Sequence, residues 1–366
     1  MRIFPKSQKE LWDEGFDKET NTYIGAKWGK YIRAPQIFFK ILAKCKDKLV
    51  PLKEVANVRR GFTTGANEFF YLTEAVIKHW KIEKEFWMHK ENDKWMPNYV
   101  ITSPQESKFV TVNPEDLKYR VLMIHKDKKA LKGTNMLKYI EWGERKKFNT
   151  RSTCDNRGFW YDLNDREPGT ILIAMIQAYR HIVFCNPKRL YPDHNLFEII
   201  TDKKDSVLIM AFLSSAITML TKEIYGRSYG GGSGPLKTEG IDIARFLVAK
   251  PSCVTAKQKE NILEKFRGFS KQPLGNTFVE IGTDSPDEVS LDKVTLIRRE
   301  LDKIIMGDIL GLTDEEQLDV YKAVVDMVKS RIDKAKSFGK KGKTKDGVDI
   351  QRVLEELDTE TDKEKI

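Results

Sequence analysis

Thr170-Ile-Leu-Ile-Ala-Met-Ile176, Gln177-Ala-Tyr-Arg180, His181-Ile-Val-Phe-Cys-Asn186 and then Asn195-Leu-Phe-Glu-Ile-Ile200 decide the fold class. Each apolar run is short, rich in Ile, Val and Phe, and bounded by polar or turn residues, which predicts strands rather than helices. The four-residue connection Gln177–Arg180 predicts a hairpin tipped by an aromatic and a cation. Both 181–186 and 195–200 are expected to pair with 170–176. Upstream, Phe109–Val112 and Arg120–His125 carry the same signature. Downstream, Ser206 to about Tyr225 is apolar on most faces (Val207, Leu208, Met210, Ala211, Leu213, Ile217, Leu220), which predicts one helix packed within the core. A glycine-rich loop, Gly226-Arg-Ser-Tyr-Gly-Gly-Gly-Ser-Gly234, follows it.

The two ends read as helical. After Arg33-Ala34-Pro35, whose proline suits a first helical turn, Ile37, Phe38, Ile41, Leu42 and Cys45 recur at helical spacing. Thr313-Asp-Glu-Glu316 has the form of a capping box, and Leu318, Tyr321, Val324, Val325, Val328 and Ile332 form one apolar stripe beyond it. The expected architecture is α+β. A helical connector covers 1–50, a β-rich domain 51–255, a helical region 256–336, and a disordered charged tail 337–366.

Composition narrows the chemistry. With 366 residues, 40% hydrophobic and 32% charged, the chain is long enough for two or three structural units. No apolar run reaches the length of a membrane helix and no signal peptide is visible at the start, so no membrane partner is expected and the cytoplasm is the expected compartment. Cys45, Cys154, Cys185 and Cys253 are far apart, with neither Cys-x-x-Cys nor His at ligand spacing, and predict no metal site or disulfide framework. The excess of 64 Lys+Arg over 54 Asp+Glu suits a polyanionic partner. Its distribution is more telling: Lys118–Arg151 holds eleven bases against three acids, whereas the tail after Lys345 holds eight acids against three bases.

Several chemistries lack their residues. Methyl transfer to an extruded adenine uses an Asn/Asp/Ser-Pro-Pro-aromatic clamp, and no Pro-Pro pair occurs. No glycine-rich turn leads from a strand into a helix, so no donor-nucleotide site is legible. The glycine loop before Lys237-Thr238 fails as a phosphate cradle, because Pro235 and Leu236 intervene and a helix leads in. One nuclease-like string remains: the two carboxylates Asp193 and Asp202 with Lys204 would together hold Mg²⁺ and orient a water for phosphodiester cleavage if the fold brought them together. The bland reading makes them turn residues at the two ends of a strand. No catalytic and no metal residue is otherwise assigned.

Tyr23-Ile-Gly-Ala-Lys-Trp-Gly-Lys-Tyr-Ile-Arg-Ala-Pro35, Val58-Arg-Arg-Gly-Phe-Thr-Thr-Gly-Ala-Asn-Glu-Phe-Phe-Tyr-Leu72, Arg151-Ser-Thr-Cys-Asp-Asn-Arg157 with Trp160-Tyr161, Tyr191-Pro-Asp-His-Asn195, Leu213-Ser-Ser215 with Leu236-Lys237, and Arg298-Arg-Glu-Leu-Asp302 through Tyr321 together resemble one family. It is the C-terminal target-recognition (specificity) region of N6-adenine DNA methyltransferases in type I-like and type IIG restriction-modification systems. The resemblance implies a sequence-specific DNA-reading module that presents the target adenine to a methyltransferase catalytic domain, in cis or in trans. It also implies that S-adenosylmethionine binds that missing domain and that no cofactor binds this chain. The opening at Met1 favours a piece cut from a longer enzyme over a separate specificity polypeptide.

A reading module needs cations for phosphates and small polar groups for base edges. Arg145, Lys146, Lys147 and Arg151 are the expected phosphate contacts. Arg59, Arg60, Thr63, Thr64 and Asn67, in a loop bracketed by Gly61 and Gly65, are the first candidate readers. Arg151, Ser152, Asn156 and Arg157 are the second, Tyr179 and Arg180 at the hairpin tip the third, and Arg227, Ser228 and Lys237 beside the glycine loop the fourth. For any one of these, a purely structural role is the competing reading. Trp160 and Tyr161 beside an apolar stretch read as core aromatics rather than base-stacking groups.

Overall fold

A computed structural model describes residues 5–339, apart from 19, 24, 26, 27 and 230–233. From residue 340 on, the expected tail lies outside the described residues, as does the centre of the glycine loop. The fold is α+β, built from several small sheets and many helices.

The four-stranded central sheet has the order Val183–Cys185, Ile171–Ala174, Leu196–Thr201, Ala56–Arg60, all antiparallel. The pairings expected from the sequence are present: Ile173 sits opposite Val183, and Ile171 opposite both Cys185 and Ile199. The centre strand is apolar throughout because both of its faces are covered. Ile171 and Ile173 enter the main core, while Leu172 and Ala174 enter a smaller cluster with Val112, Phe184 and Leu196. The fourth strand, Ala56–Arg60, was not among the expected ones. It is half exposed at an edge and holds its place through pairs such as Arg59 opposite Glu198.

The expected 206–225 helix is two helices, Ser206–Leu213 and Ala216–Tyr225, bent by 65°. Serine and threonine hydroxyls cause the break. Ser214 Oγ donates to Met210 O (2.9 Å), and Ser215 Oγ and Thr218 Oγ1 both donate to Phe212 O (2.6 and 2.8 Å). The second helix starts afresh, with Ala216 N–H donating to buried Asp302 (3.0 Å). Among the described residues no single helix is long and apolar enough to cross a membrane; only this bent pair has the length and composition, and it is buried in the protein.

Two expected strands are shorter than their sequences suggest. Phe109–Val112 forms only isolated bridges, to Pro273 and Cys185. Of Arg120–His125 only Arg120 and Val121 lie in a strand, Tyr119–Val121, because Leu122 N–H then turns to Phe70 O and Met123 N–H to Phe86 O. That strand belongs to a second sheet, ordered Tyr191–Pro192, Tyr99–Ile101, Tyr119–Val121, Tyr71–Leu72, backed by an aromatic cluster of Phe69, Phe70, Tyr139, Phe148 and Trp160. Trp160 and Tyr161 are buried there, as core aromatics should be.

The terminal helices share the main core. Gln36–Lys44 buries Ile37, Phe38 and Ile41 in the same cluster as Tyr321, Val324, Val325 and Val328 of Asp314–Gly339. Lys40 and Lys44 both pair with Glu316, at 3.2 and 2.6 Å. Glu316 also closes the expected capping box, accepting from Thr313 N–H (2.9 Å) while its own N–H reaches Thr313 Oγ1 (3.2 Å). The helix Gln36–Lys44 is thereby held against the start of the long C-terminal helix. The apolar stripes of both helices are thus used inside this chain.

Candidate nucleic-acid interface

The edge strand Ala56–Arg60 runs straight into the loop Gly61–Asn67, whose shape its glycines dictate. A side-chain carbon at Gly61 would lie 2.2 Å from Asp193 O, so only glycine permits the approach that lets Phe62 N–H donate to Pro192 O (2.9 Å). Gly65 has φ +76 and its α-carbon faces Thr153, so that this loop lies on the next candidate loop, 151–157.

The two loops are clamped together. Arg151 donates to Gly65 O (3.1 Å) and to both oxygens of Glu68 (3.0 and 3.2 Å). Arg157 donates to Thr63 O (2.7 Å) and Trp160 O (3.1 Å), and Cys154 Sγ–H to Thr64 O (3.4 Å). Thr64 is buried, with its hydroxyl donating to Asn67 and accepting from Ala66 N–H. Thr64, Arg151 and Arg157, three of the side chains singled out from sequence, are thus engaged in building the surface. The exposed ones are Thr63, Asn67, Ser152 and Asn156.

Arg145, Lys146 and Lys147 join this surface from one side. They end the helix Asn135–Arg145, where cations are favoured by the carbonyl end of the dipole, and all three are exposed. Lys147 adopts the left-handed conformation (φ +60) and turns the chain through Phe148–Thr150 into Arg151, whose guanidinium lies 4.6 Å from the Phe148 ring centre.

On the other side lies a buried charge cluster. The Glu198 carboxylate is fully buried and pairs with Arg59 (2.5 Å) and, more loosely, Arg166 (3.5 Å). Burial raises the Glu198 pKa against the pull of the two arginines. Arg166 also donates to Arg60 O (3.0 Å) and lies 3.9 Å from the centre of the Phe62 ring. Arg59, expected to face DNA, points instead into this cluster. Arg60 is exposed and reaches back to His194 O (3.1 Å).

Arg60 also marks the junction with the fourth group. Its charge reaches Glu239, the carboxylate bonded to Lys237 (2.8 Å) and Arg227 (2.9 Å); Lys237 foremost, then the neighbouring cations, hold Glu239 below the usual range. Lys237 and Arg227 sit opposite each other in a small sheet of Arg227–Ser228, Leu236–Lys237 and Ile176–Gln177. Its last strand leads to Tyr179 and Arg180, both exposed. The first two groups are thus in direct contact and the third and fourth share a sheet, while Arg60 bridges the two pairs through Met175, whose sulfur accepts from its guanidinium (3.7 Å) and whose carbonyl accepts from Thr238 N–H (2.9 Å).

Three groups were not singled out from the sequence: Arg166, which builds the charge cluster, the turn Ser103–Gln105, and Phe159. Phe159 is the exposed aromatic of its segment and stacks on Tyr161 with ring centres 5.7 Å apart. For Arg166 a positive-charge count had no signal, since its role comes from a glutamate remote in sequence.

The nuclease arrangement is not assembled. Asp193 is buried and holds Tyr71 Oη (2.9 Å), Asn195 Nδ2 (3.0 Å) and His194 (2.7 Å). Asp202 and Lys204 are exposed beyond the far end of Leu196–Thr201, a span of about 20 Å for six extended residues. Among the described residues, no three His, Cys, Asp or Glu side chains converge as for a metal ion. The four cysteines are free thiols.

With this geometry in place, comparison with known proteins places the chain. Residues 25–274 match the family "Type II methyltransferase M.Eco57I, C-terminal domain", so the chain belongs to that family. Among curated proteins it is similar to Type II methyltransferase M.AccI of Acinetobacter calcoaceticus, 24% identical over 257 residues, covering 67% of this chain and 45% of the relative. Among solved structures it is similar to the type IIG restriction endonuclease BpuSI (TM-score 0.55, 12% identity, 87% of this chain and 35% of the other). The type IIL restriction-modification enzyme MmeI in complex with DNA also aligns (TM-score 0.47, 13% identity, 77% of this chain and 36% of the other). The chain spans less than half the length of each of these proteins.

Proposed function

We propose that this chain is the sequence-specific DNA-recognition module of an adenine-specific DNA methyltransferase of a restriction-modification system. It holds the duplex so that a catalytic domain, in cis or in trans, methylates the target adenine with S-adenosylmethionine bound to that domain. Membership of a methyltransferase C-terminal family supports the enzyme class. The observation that carries the DNA-reading role is the adjacency of the four loop groups, from Lys147 through Asn67 and Arg60 to Arg180.

The division of labour follows from what each side chain touches. Arg145, Lys146 and Lys147 are exposed and free to neutralise phosphates, which gives affinity without sequence preference. Thr63, Asn67, Ser152 and Asn156 are exposed on loops fixed from below by Arg151 and Arg157, and carry donors and acceptors of the kind that read base edges. Arg59, Glu198 and Arg166 hold the edge strand that delivers the first loop.

A salt titration of duplex binding by the purified chain tests this reading. Affinity should fall steeply as salt rises, with a log–log slope of several, since each released phosphate contact contributes about 0.9. A slope near zero would leave no phosphate contacts and remove the proposal.

A further inference from the structure

A cleft of about 620 Å3 opens between two tips that the sequence did not connect, the turn Ser103–Gln105 and the hairpin end Gln177–Arg180. Asn195, Ile182 and Pro235 line it as well. Both walls are fixed. Glu106 ties the turn by accepting from Thr102 N–H (2.6 Å), Thr102 Oγ1–H (3.0 Å) and Ser103 N–H (3.2 Å), leaving Gln105 exposed. The hairpin tip is held by Arg331, which donates to Ala178 O (2.6 Å), and by Thr277 N–H, which donates to Tyr179 O (2.9 Å).

Gln177 sits in this cleft with its amide orientation imposed from behind. Fully buried Lys222 donates to its Oε1 (2.7 Å) and to Ala174 O (3.1 Å), and Ile182 N–H points at the same Oε1 (3.4 Å). The Ile182 N–H can only donate, and Lys222 Nζ donates to the Ala174 carbonyl beside it, so the oxygen is the amide atom that faces them. The polar group left to the cleft is the NH2, a donor with no acceptor character. Tyr179 and Arg180 at the mouth are exposed and supply an aromatic face and a cation.

We propose that this cleft reads one base of the target, and that Gln177, fixed by Lys222, is a specificity-determining donor that selects a base presenting an acceptor edge, such as guanine O6/N7 or thymine O4. The inference rests on the DNA-reading role proposed above and names a site within it. Gln105, on the facing wall, is the second polar group able to reach the same base pair.

The discriminating substitution is Gln177→Glu. It keeps size and shape, gives Lys222 an ion-pair partner in place of an amide, and turns the group facing the cleft from donor to acceptor. The 366-residue chain and the variants Gln177→Glu, Gln177→Ala and Gln105→Ala are each used to select duplexes from a randomised pool, after thermal melting has shown each to be folded. The result expected is one position at which Gln177→Glu replaces a guanine or thymine preference by cytosine or adenine, whose amino groups donate, with the other positions unchanged. Gln177→Ala should flatten preference there by roughly tenfold or more, the worth of a good base contact. Identical selected sequences for the chain and all folded variants would overturn the cleft assignment while leaving the DNA-reading role intact. Should Gln177→Glu and Gln177→Ala both fail to fold, an unchanged selection by the surface variant Gln105→Ala would overturn it. Failure of the unsubstituted chain to retain any duplex would instead overturn the reading on which the cleft rests.

Discussion

Arg331, on the long C-terminal helix, grips Glu223 with two nitrogens (2.9 and 2.7 Å) and with the same guanidinium reaches the carbonyls of Ala178 and Gly234. One buried side chain thus connects the helix, the hairpin tip and the end of the glycine loop. Both partners are almost fully shielded, at 6% and 4% exposure, so the pair is costly to break from one side. Arg331→Leu should lower stability by about 3–5 kcal/mol in denaturant titrations, because Glu223 is left charged and buried. Adding Glu223→Leu should recover part of the loss. The hairpin tip should exchange its amide hydrogens faster in either variant.

Gly61→Ala should also destabilise the fold, to a smaller extent and for a different reason. The added methyl would collide with the Asp193 backbone, which cannot move without disturbing Phe62 and the second sheet. Overpacking of this kind costs roughly 1–3 kcal/mol, and the first reading loop would be displaced. The melting temperature should fall, and base preference should fall with it.

Lys146→Glu with Lys147→Glu acts on the surface alone. Both side chains are exposed, so stability should change little, whereas affinity for every duplex should fall alike and the salt slope should shrink by about one per lost phosphate contact. Asn67→Ala should do the reverse, leaving the slope and relaxing preference at one position by about 1–3 kcal/mol. If the two variants behave alike in a binding titration against target and scrambled duplexes, the assignment of roles is wrong.

Lys222 sets a pH dependence. Burial lowers its pKa from the ordinary 10.5 to about 7. A base with a depressed folded pKa binds its proton more weakly in the native state than when unfolded. Its contribution to stability is therefore present above 10.5 and lost as pH falls toward 7. Denaturant midpoints of the chain should rise relative to those of Lys222→Met as pH is raised across that interval. Parallel curves would show that the lysine does not titrate there.

The strands at the centre were legible because two-sided burial writes itself as an unbroken apolar run, as in Ile171–Ala174. The capping box at Thr313 was legible because its two side chains are local. Ala56–Arg60 was not, since a half-exposed edge strand containing Arg59 and Arg60 makes sense only beside Glu198, which lies far along the chain. The bend after Leu213 was hidden because Ser214 and Ser215 interrupt an apolar pattern by only two residues. At the candidate interface, the loops singled out from sequence lie next to one another, but the roles of their side chains were not legible. Whether an arginine faces solvent or clamps a neighbouring loop depends on carbonyls such as Gly65 and Thr63, and no composition count registers those.

Hydrogen exchange of the chain with and without duplex DNA tests most directly the claim that the four loop groups form one reading face. Slowed exchange is predicted together in 61–67, 145–157, 176–180 and 227–237, with the helix Ala256–Phe269 unchanged. Protection confined to that helix, or absent from the loops under conditions where DNA is bound, would contradict it.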